Sequence, residues 1–124
     1  MAKSNLLGPW GEQIAAAYMQ KKRYRIVACN YKCRMGEIDL ICQNRKYLVF
    51  VEVKLRKTDR FGEAREFVDL KKQQRIQSAA LLWLQENPTE LQPRFDVIEI
   101  YAPEGIASEH PKVIHLEDAF QSIC

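Results

Sequence analysis

Residues 36–54 read GEIDLICQNRKYLVFVEVK, in which two apolar runs of strand length, EIDLICQ and YLVFVEVK, are joined by a short polar break. Runs of this length, rich in Ile, Leu, Val and aromatic residues, form β-strands, and the break makes them a hairpin. Three charged groups, Asp39, Glu52 and Lys54, lie inside these runs. Strand side chains alternate, so Glu52 and Lys54 share one face and Val51 and Val53 the other, while Glu37 and Asp39 lie opposite Ile38 and Leu40. A two-residue turn at Asn44-Arg45 or at Arg45-Lys46 puts Asp39, Glu52 and Lys54 on the same side; a three-residue loop sends them to opposite faces. Two-residue turns are the commonest hairpin connection, so convergence is the expectation.

Two carboxylates and an ammonium on one sheet face have two explanations. One is a half-exposed sheet carrying an ion pair, worth roughly 0–1 kcal/mol at a surface. The other is chemistry. Carboxylate oxygens a few ångströms apart bind a hard divalent cation such as Mg²⁺, and a nearby lysine orients water or neutralises charge building on a phosphate.

Working outward, PWGEQIAAAYMQKK (residues 9–22) places Trp10, Ile14, Ala17 and Tyr18 on one helical face, with Pro9 read as a first-turn proline. YRIVACNYK (24–32) is a strand preceding the hairpin. After the polar LRKTDRFGEARE, a second helix is expected over 68–86, with Ile76, Ala79, Ala80, Trp83 and Leu84 as its apolar stripe and Asn87-Pro88 ending it. RFDVIEIY (94–101) reads as a strand alternating in and out, KVIHL as a short fifth, and EDAFQSI as a closing helical turn. The order α, β, β, β, α, β over 124 residues, with no repeat or linker, gives one α/β domain with a mixed sheet.

Composition narrows the function classes. No apolar run approaches the ~20 residues of a membrane helix, and the amino terminus lacks a signal peptide's apolar core. A cytoplasmic protein is therefore expected. Cys29, Cys33, Cys42 and Cys124 form no CxxC pair and lie far from His110 and His115, so zinc spacing is absent and reduced thiols are expected. The net charge of +3 is unevenly spread: residues 1–60 hold 13 Lys/Arg against 5 Asp/Glu, and residues 61–124 hold 6 against 11. One basic face follows, the electrostatic footprint of a polyanion partner or simply a solvated surface.

Asp39, then twelve residues, then EVK at Glu52–Lys54 is similar to the PD-(D/E)XK nuclease signature, an acid and E-x-K on adjacent strands behind an amino-terminal helix. The longer pattern is more specific. GEQIAAAYMQKKRYRIVACNYKCRMGEIDLI, LVFVEVKLR, RFGEA, the Lys72/Arg75 helix with AALLWL, RFDVI and VIHLEDAF together resemble the YraN-type uncharacterised protein family 0102 over nearly the whole chain. Archaeal Holliday junction resolvases are similar in the first half. The resemblance implies a restriction-endonuclease-like three-layer α/β/α fold with a central mixed sheet, and Mg²⁺- or Mn²⁺-dependent cleavage of DNA, branched or structured DNA included. By position it implies Asp39 and Glu52 as metal ligands, the carbonyl of Val53 as a third, Lys54 as the catalytic lysine, and Glu12 as the acid completing the site. The residues themselves leave Glu12 open, since its flank of Ala15, Ala16 and Met19 can face sheet or water. The chain departs from the pattern at Leu55, where Thr is expected, at Arg23, where Gly usually precedes the tyrosine, and at Met35, where a small residue often precedes GEID.

For a DNA substrate, phosphate contacts are expected from Lys32, Arg34, Arg56, Lys57, Arg60, Lys71, Lys72 and Arg75, which as backbone contacts confer little sequence specificity. Phe61 is read as a loop anchor or a base-stacking residue, Gly62 as a tight turn, Asp96 as a structural partner of Arg94 or Lys54, and His115 as a hydrogen-bonded structural histidine. Two other classes compete with a nuclease. A non-catalytic nucleic-acid-binding module is one, since α, β, β, β, α is also the order of a double-stranded RNA-binding domain; a partner-binding scaffold on the same fold is the other. Cutting both strands of a symmetric junction would favour a homodimer.

Overall fold

The computed structural model describes residues 2–56 and 69–120, with side chains from residue 8. Lys57, Arg60, Phe61, Gly62, Val68 and Cys124 lie outside the described residues. The elements run α1 (Ala2–Lys21), β1 (Arg25–Cys33), β2 (Gly36–Gln43), β3 (Tyr47–Arg56), α2 (Leu70–Glu86), β4 (Gln92–Tyr101), a 3₁₀ turn at Gly105–Ala107 and β5 (Lys112–Leu116). The sheet is five-stranded and mixed, in the order β1-β2-β3-β4-β5. β1, β2 and β3 form an antiparallel meander, β4 lies parallel to β3, and β5 returns antiparallel to β4.

The helices cover opposite faces. Ala15 and Met19 of α1 pack on Leu40, Cys42, Val49, Val51, Ile98 and Ile100. On the other face, Ile76, Ala79, Ala80 and Trp83 of α2 pack on Ile41, Leu48, Phe50, Phe95 and Val97. β4 is therefore buried on both sides, and the expected in-and-out alternation gives way to a run buried from Arg94 to Tyr101. A parallel strand between two covered faces has no solvent side.

α1 begins earlier than the first-turn reading of Pro9 placed it, so Pro9 lies inside the helix. Proline there withholds one backbone donor. The helix ends in a Schellman motif: Tyr24 N–H donates to Met19 O (3.0 Å) and Arg23 N–H to Gln20 O (2.9 Å). Arg23 takes the left-handed conformation (φ 72°) that such a stop requires, at the position where the sequence reading expects glycine. α2 is capped by Asp69, whose carboxylate accepts from Lys72 N–H at 2.8 Å. At its other end Asn87 donates from both backbone and side chain to Trp83 O.

The expected closing helical turn is not seen over 117–120. There Asp118 turns the chain in left-handed backbone (φ 53°), its N–H held by Asp96 Oδ1 at 3.0 Å. Among the described residues, no helix is long and apolar enough to cross a membrane.

Candidate functional site

The hairpin between β2 and β3 is the tight one. Asn44 N–H donates to Tyr47 O (3.0 Å), leaving Arg45-Lys46 as the turn, and Asn44 Oδ1 accepts from the N–H groups of Lys46 (2.9 Å) and Tyr47 (2.7 Å). Such an Asx turn is what asparagine before a turn is suited to make. Its register, Gln43 opposite Leu48 through Leu40 opposite Val51, sets Asp39 level with Glu52.

At that level the two strands part. The ladder ends at Leu40–Val51, and Asp39 Oδ2 bridges the opening by accepting the Val53 N–H at 2.8 Å. The pleat also slips here: Ile41 and Ile38 both enter the core under α2 although three residues apart, while Leu40 enters the core under α1. On β1, Asn30, between the paired Cys29 and Tyr31, is left-handed (φ 56°). Simple alternation, which put Ile38 and Leu40 on one face with Asp39 opposite, is corrected accordingly. Asp39 sits in the slip and reaches between strands rather than standing on a face.

Glu52 keeps its expected place on the α2 side, where Lys72 Nζ lies 3.5 Å from Oε2. The carboxylates of Asp39 and Glu52 are within hydrogen-bonding reach of each other. Burial, then the charge of Asp39, pushes Glu52 up to about 7, against the pull of Lys72 and Lys54. Burial likewise raises Asp39, opposed by the Val53 N–H and Lys72. From the opposite layer, Glu12 of α1 approaches the same edge: burial and the charges of Asp39 and Glu37 raise it, and Lys32 lowers it.

The donor chemistry fits a hard divalent cation, because two half-buried carboxylates in contact repel unless they share a proton or a positive charge. Val53 adds a backbone oxygen. N–H and C=O of one strand residue project to the same side, so the carbonyl of Val53 faces the opening its N–H faces. Among the described residues, no three His, Cys, Asp or Glu side chains are grouped closely enough to hold an ion, so the protein side chains on offer are the Asp39–Glu52 pair alone. A partial shell completed by water suits Mg²⁺, which dehydrates reluctantly.

A buried carboxylate on the Glu52 face escaped the sequence reading. Glu99, 2% exposed, pairs with Arg56 (3.2 Å) and accepts from Tyr101 OH (3.1 Å). In the parallel register it lies directly beside Lys54. Its in-strand position in RFDVIEIY was visible, but placing it next to Lys54 needs the β3–β4 register, which one sequence does not supply.

Of the expected phosphate contacts, Arg56 is turned inward to Glu99, its side chain 17% exposed, and Lys72 engages Glu52. Lys32, Arg34, Lys71 and Arg75 are exposed. The start of β2 crosses close over α2 at Arg75, which Gly36 permits: at φ 151°, a Cβ there would meet Arg75 Cβ at 3.2 Å and its carbonyl oxygen at 3.3 Å. Asp96 and His115 are structural, as expected. Asp96 is fully buried, takes two hydrogen bonds from Arg94 (2.9 and 2.8 Å) and contacts His115 Nε2 at 2.7 Å.

Comparison with known proteins agrees over most of the chain. The family model described as "Uncharacterised protein family UPF0102" matches residues 11–100. A UPF0102 protein of Caldanaerobacter subterraneus subsp. tengcongensis is 47% identical, covering 92% of this chain and 93% of its own. Another from Geobacter sulfurreducens is 40% identical over 95% of this chain and 91% of its own, and one from Syntrophomonas wolfei is 40% identical over 92% and 96%. The chain belongs to the uncharacterised protein family UPF0102.

Proposed function

We propose that this protein is a metal-dependent endonuclease that hydrolyses phosphodiester bonds in DNA, branched or structured DNA included, on a restriction-endonuclease-like fold. The observation that carries the reading is the Asp39–Glu52 pair, two half-buried carboxylates in contact where β2 and β3 part, with Glu52 raised to about 7. A sheet that needed only stability would not set two mutually repelling acids together in a half-buried site. The layer order, α1 behind an acid on β2 and E-x-K on β3, supports the fold assignment.

In this reading Asp39, Glu52 and the carbonyl of Val53 hold Mg²⁺ or Mn²⁺. When bound, the cation supplies stabilisation of the negative charge that builds on a phosphoryl group under attack. Lys54, on the Glu52 face, sets its ammonium beside the reacting phosphate and orients the attacking water. Glu12, reaching the edge from α1, holds solvent on the far side of Asp39. Lys72 keeps the Glu52 carboxylate in place before the cation arrives.

The test is cleavage of a labelled panel of duplex, single strand, flap, four-way junction and matching RNA, with Mg²⁺, Mn²⁺ or EDTA. Wild type should cut DNA only with metal, and Asp39→Ala and Glu52→Ala should not cut. Glu52→Ala cutting as fast as wild type would refute the mechanism, and binding without cutting, unchanged in both variants, would make the protein a recognition module.

A further inference from the structure

At the far end of the hairpin from Asp39 lies an open depression of about 770 Å³, lined by Lys22, Arg23, Arg25, Arg45 and Lys46 with Gln43 and Asn44. Its walls hold five cations and no carboxylate. All five are exposed. Lys22 is partly answered by Glu117 at 3.6 Å, and Lys46 lies over the Tyr47 ring at 5.2 Å. Among the described residues, Arg23, Arg25 and Arg45 make no ion pair.

The cluster comes from three elements. Arg23 is the helix stop, Arg25 begins β1 opposite Gln43, and Arg45 and Lys46 are the hairpin turn. Arg23 is notable for its backbone: a side chain at φ 72° carries a strain that glycine would avoid. Strain kept at a charged surface position points to use of that charge. Like charges gathered without counter-charge also repel one another, which an anion relieves.

We infer that this patch is a second nucleic-acid contact, binding the phosphate backbone of a duplex whose reacting phosphate lies at Asp39 and Glu52. This rests on the proposed function and extends it to the substrate. A small phosphorylated metabolite calls for an enclosed, largely apolar pocket with a few convergent polar groups, whereas these cations are spread over an open surface. An anionic membrane surface calls for apolar side chains beside the cations, yet the exposed large hydrophobics Met35, Leu55, Leu70, Leu81 and Ile106 all lie outside the patch. From Asp39 to Asn44 the strand advances roughly 16 Å. A substrate engaging both places must extend about five base pairs from the reacting phosphate.

The experiment is binding of a labelled duplex of about 30 base pairs by anisotropy, in EDTA, across about 50–200 mM salt. Replacing both residues, Arg25→Gln with Arg45→Gln, should lower the slope of log affinity against log salt by about 1.8, and Arg25→Lys with Arg45→Lys should restore it. Circular dichroism controls for folding. An unchanged slope in a folded Gln variant, or no duplex binding by wild type, overturns the inference. So does binding to phosphatidylglycerol vesicles, lost in the Gln variant, in place of duplex binding. Because binding is read without metal, failure to cleave would refute the nuclease and leave this surface standing.

Discussion

Replacing Glu52 by Gln should make the metal-free protein more stable at neutral and alkaline pH. Glu52 rises from an ordinary 4.5 to about 7, first through burial and then through Asp39. The folded state therefore binds its proton more tightly than the unfolded chain, and stability falls as pH rises from about 4.5 to about 7. A shift of this size is worth roughly 3 kcal/mol, fully lost above about pH 7. Glutamine keeps the shape and the neutral state at every pH, so the variant escapes the loss. Between pH 5 and 8 the gap between Glu52→Gln and wild type should widen by roughly 2–3 kcal/mol in the variant's favour.

Urea unfolding followed by circular dichroism, in EDTA at several pH values, measures that gap directly. The gap reads the Asp39–Glu52 pair, because Asp39, in contact with residue 52, responds to the substitution while Glu12 titrates in both proteins. Mg²⁺ added at about ten times its dissociation constant should then stabilise wild type at pH 8 by about 1.4 kcal/mol and leave Glu52→Gln almost unmoved. A gap that stays constant from pH 5 to 8 would refute the reasoning, since it would mean the carboxylate is well solvated or fully matched by Lys72.

Three further outcomes follow from other positions. Arg23→Gly relieves the left-handed residue and should raise stability by about 0.5–1 kcal/mol in thermal or urea melts. Gly36→Ala should cost about 1–3 kcal/mol, through its positive φ and the backbone of Arg75 beneath it, with circular dichroism and melting as the check. Asp96→Asn should cost about 3–5 kcal/mol, because Arg94 is left buried with only the exposed Glu117, 4.0 Å away, as counter-charge. Burial raises Asp96, but bonds from His115, Arg94 and the Asp118 N–H outweigh it and hold it below 3.8. Its stabilisation is present above that value and lost as pH falls through the folded one, so an acid titration should show wild type losing stability where Asp96→Asn does not.

The hairpin, the two helices and the fourth and fifth strands were legible because each is written in local pattern: apolar runs of strand length, an apolar stripe at helical spacing, a terminating Asn87. The pairing of Asp39 with Glu52 was legible too, since a tight turn fixes register. Asp39's direction was not. Alternation is a property of regular strands, and β2 departs from it around Asp39, level with the left-handed Asn30 of β1. The pairing of Arg56 was hidden for a related reason: a basic residue after E-x-K shows its partner only when the parallel strand brings Glu99 within 3.2 Å of it. The early start of α1 was hidden by Pro9, an ordinary marker of a helix's first turn.

The sheet buries or half-buries four carboxylates, and their surroundings separate structure from candidate chemistry. Asp96 has Arg94, His115 and the Asp118 N–H. Glu99 has Arg56 and Tyr101. Each of these acids is answered by donors the fold itself supplies. Asp39 and Glu52 instead face each other, with the Val53 N–H and the half-exposed Lys72 as their donors. Fold stability alone would favour an arginine or an apolar residue at either position. The same sheet that answers two acids leaves two short of positive charge, and it does so where the strands part and a backbone carbonyl faces the opening. That deficit is what a divalent cation would fill, and it is why the pH dependence of the Glu52→Gln gap and its response to Mg²⁺ test the site before any substrate is known.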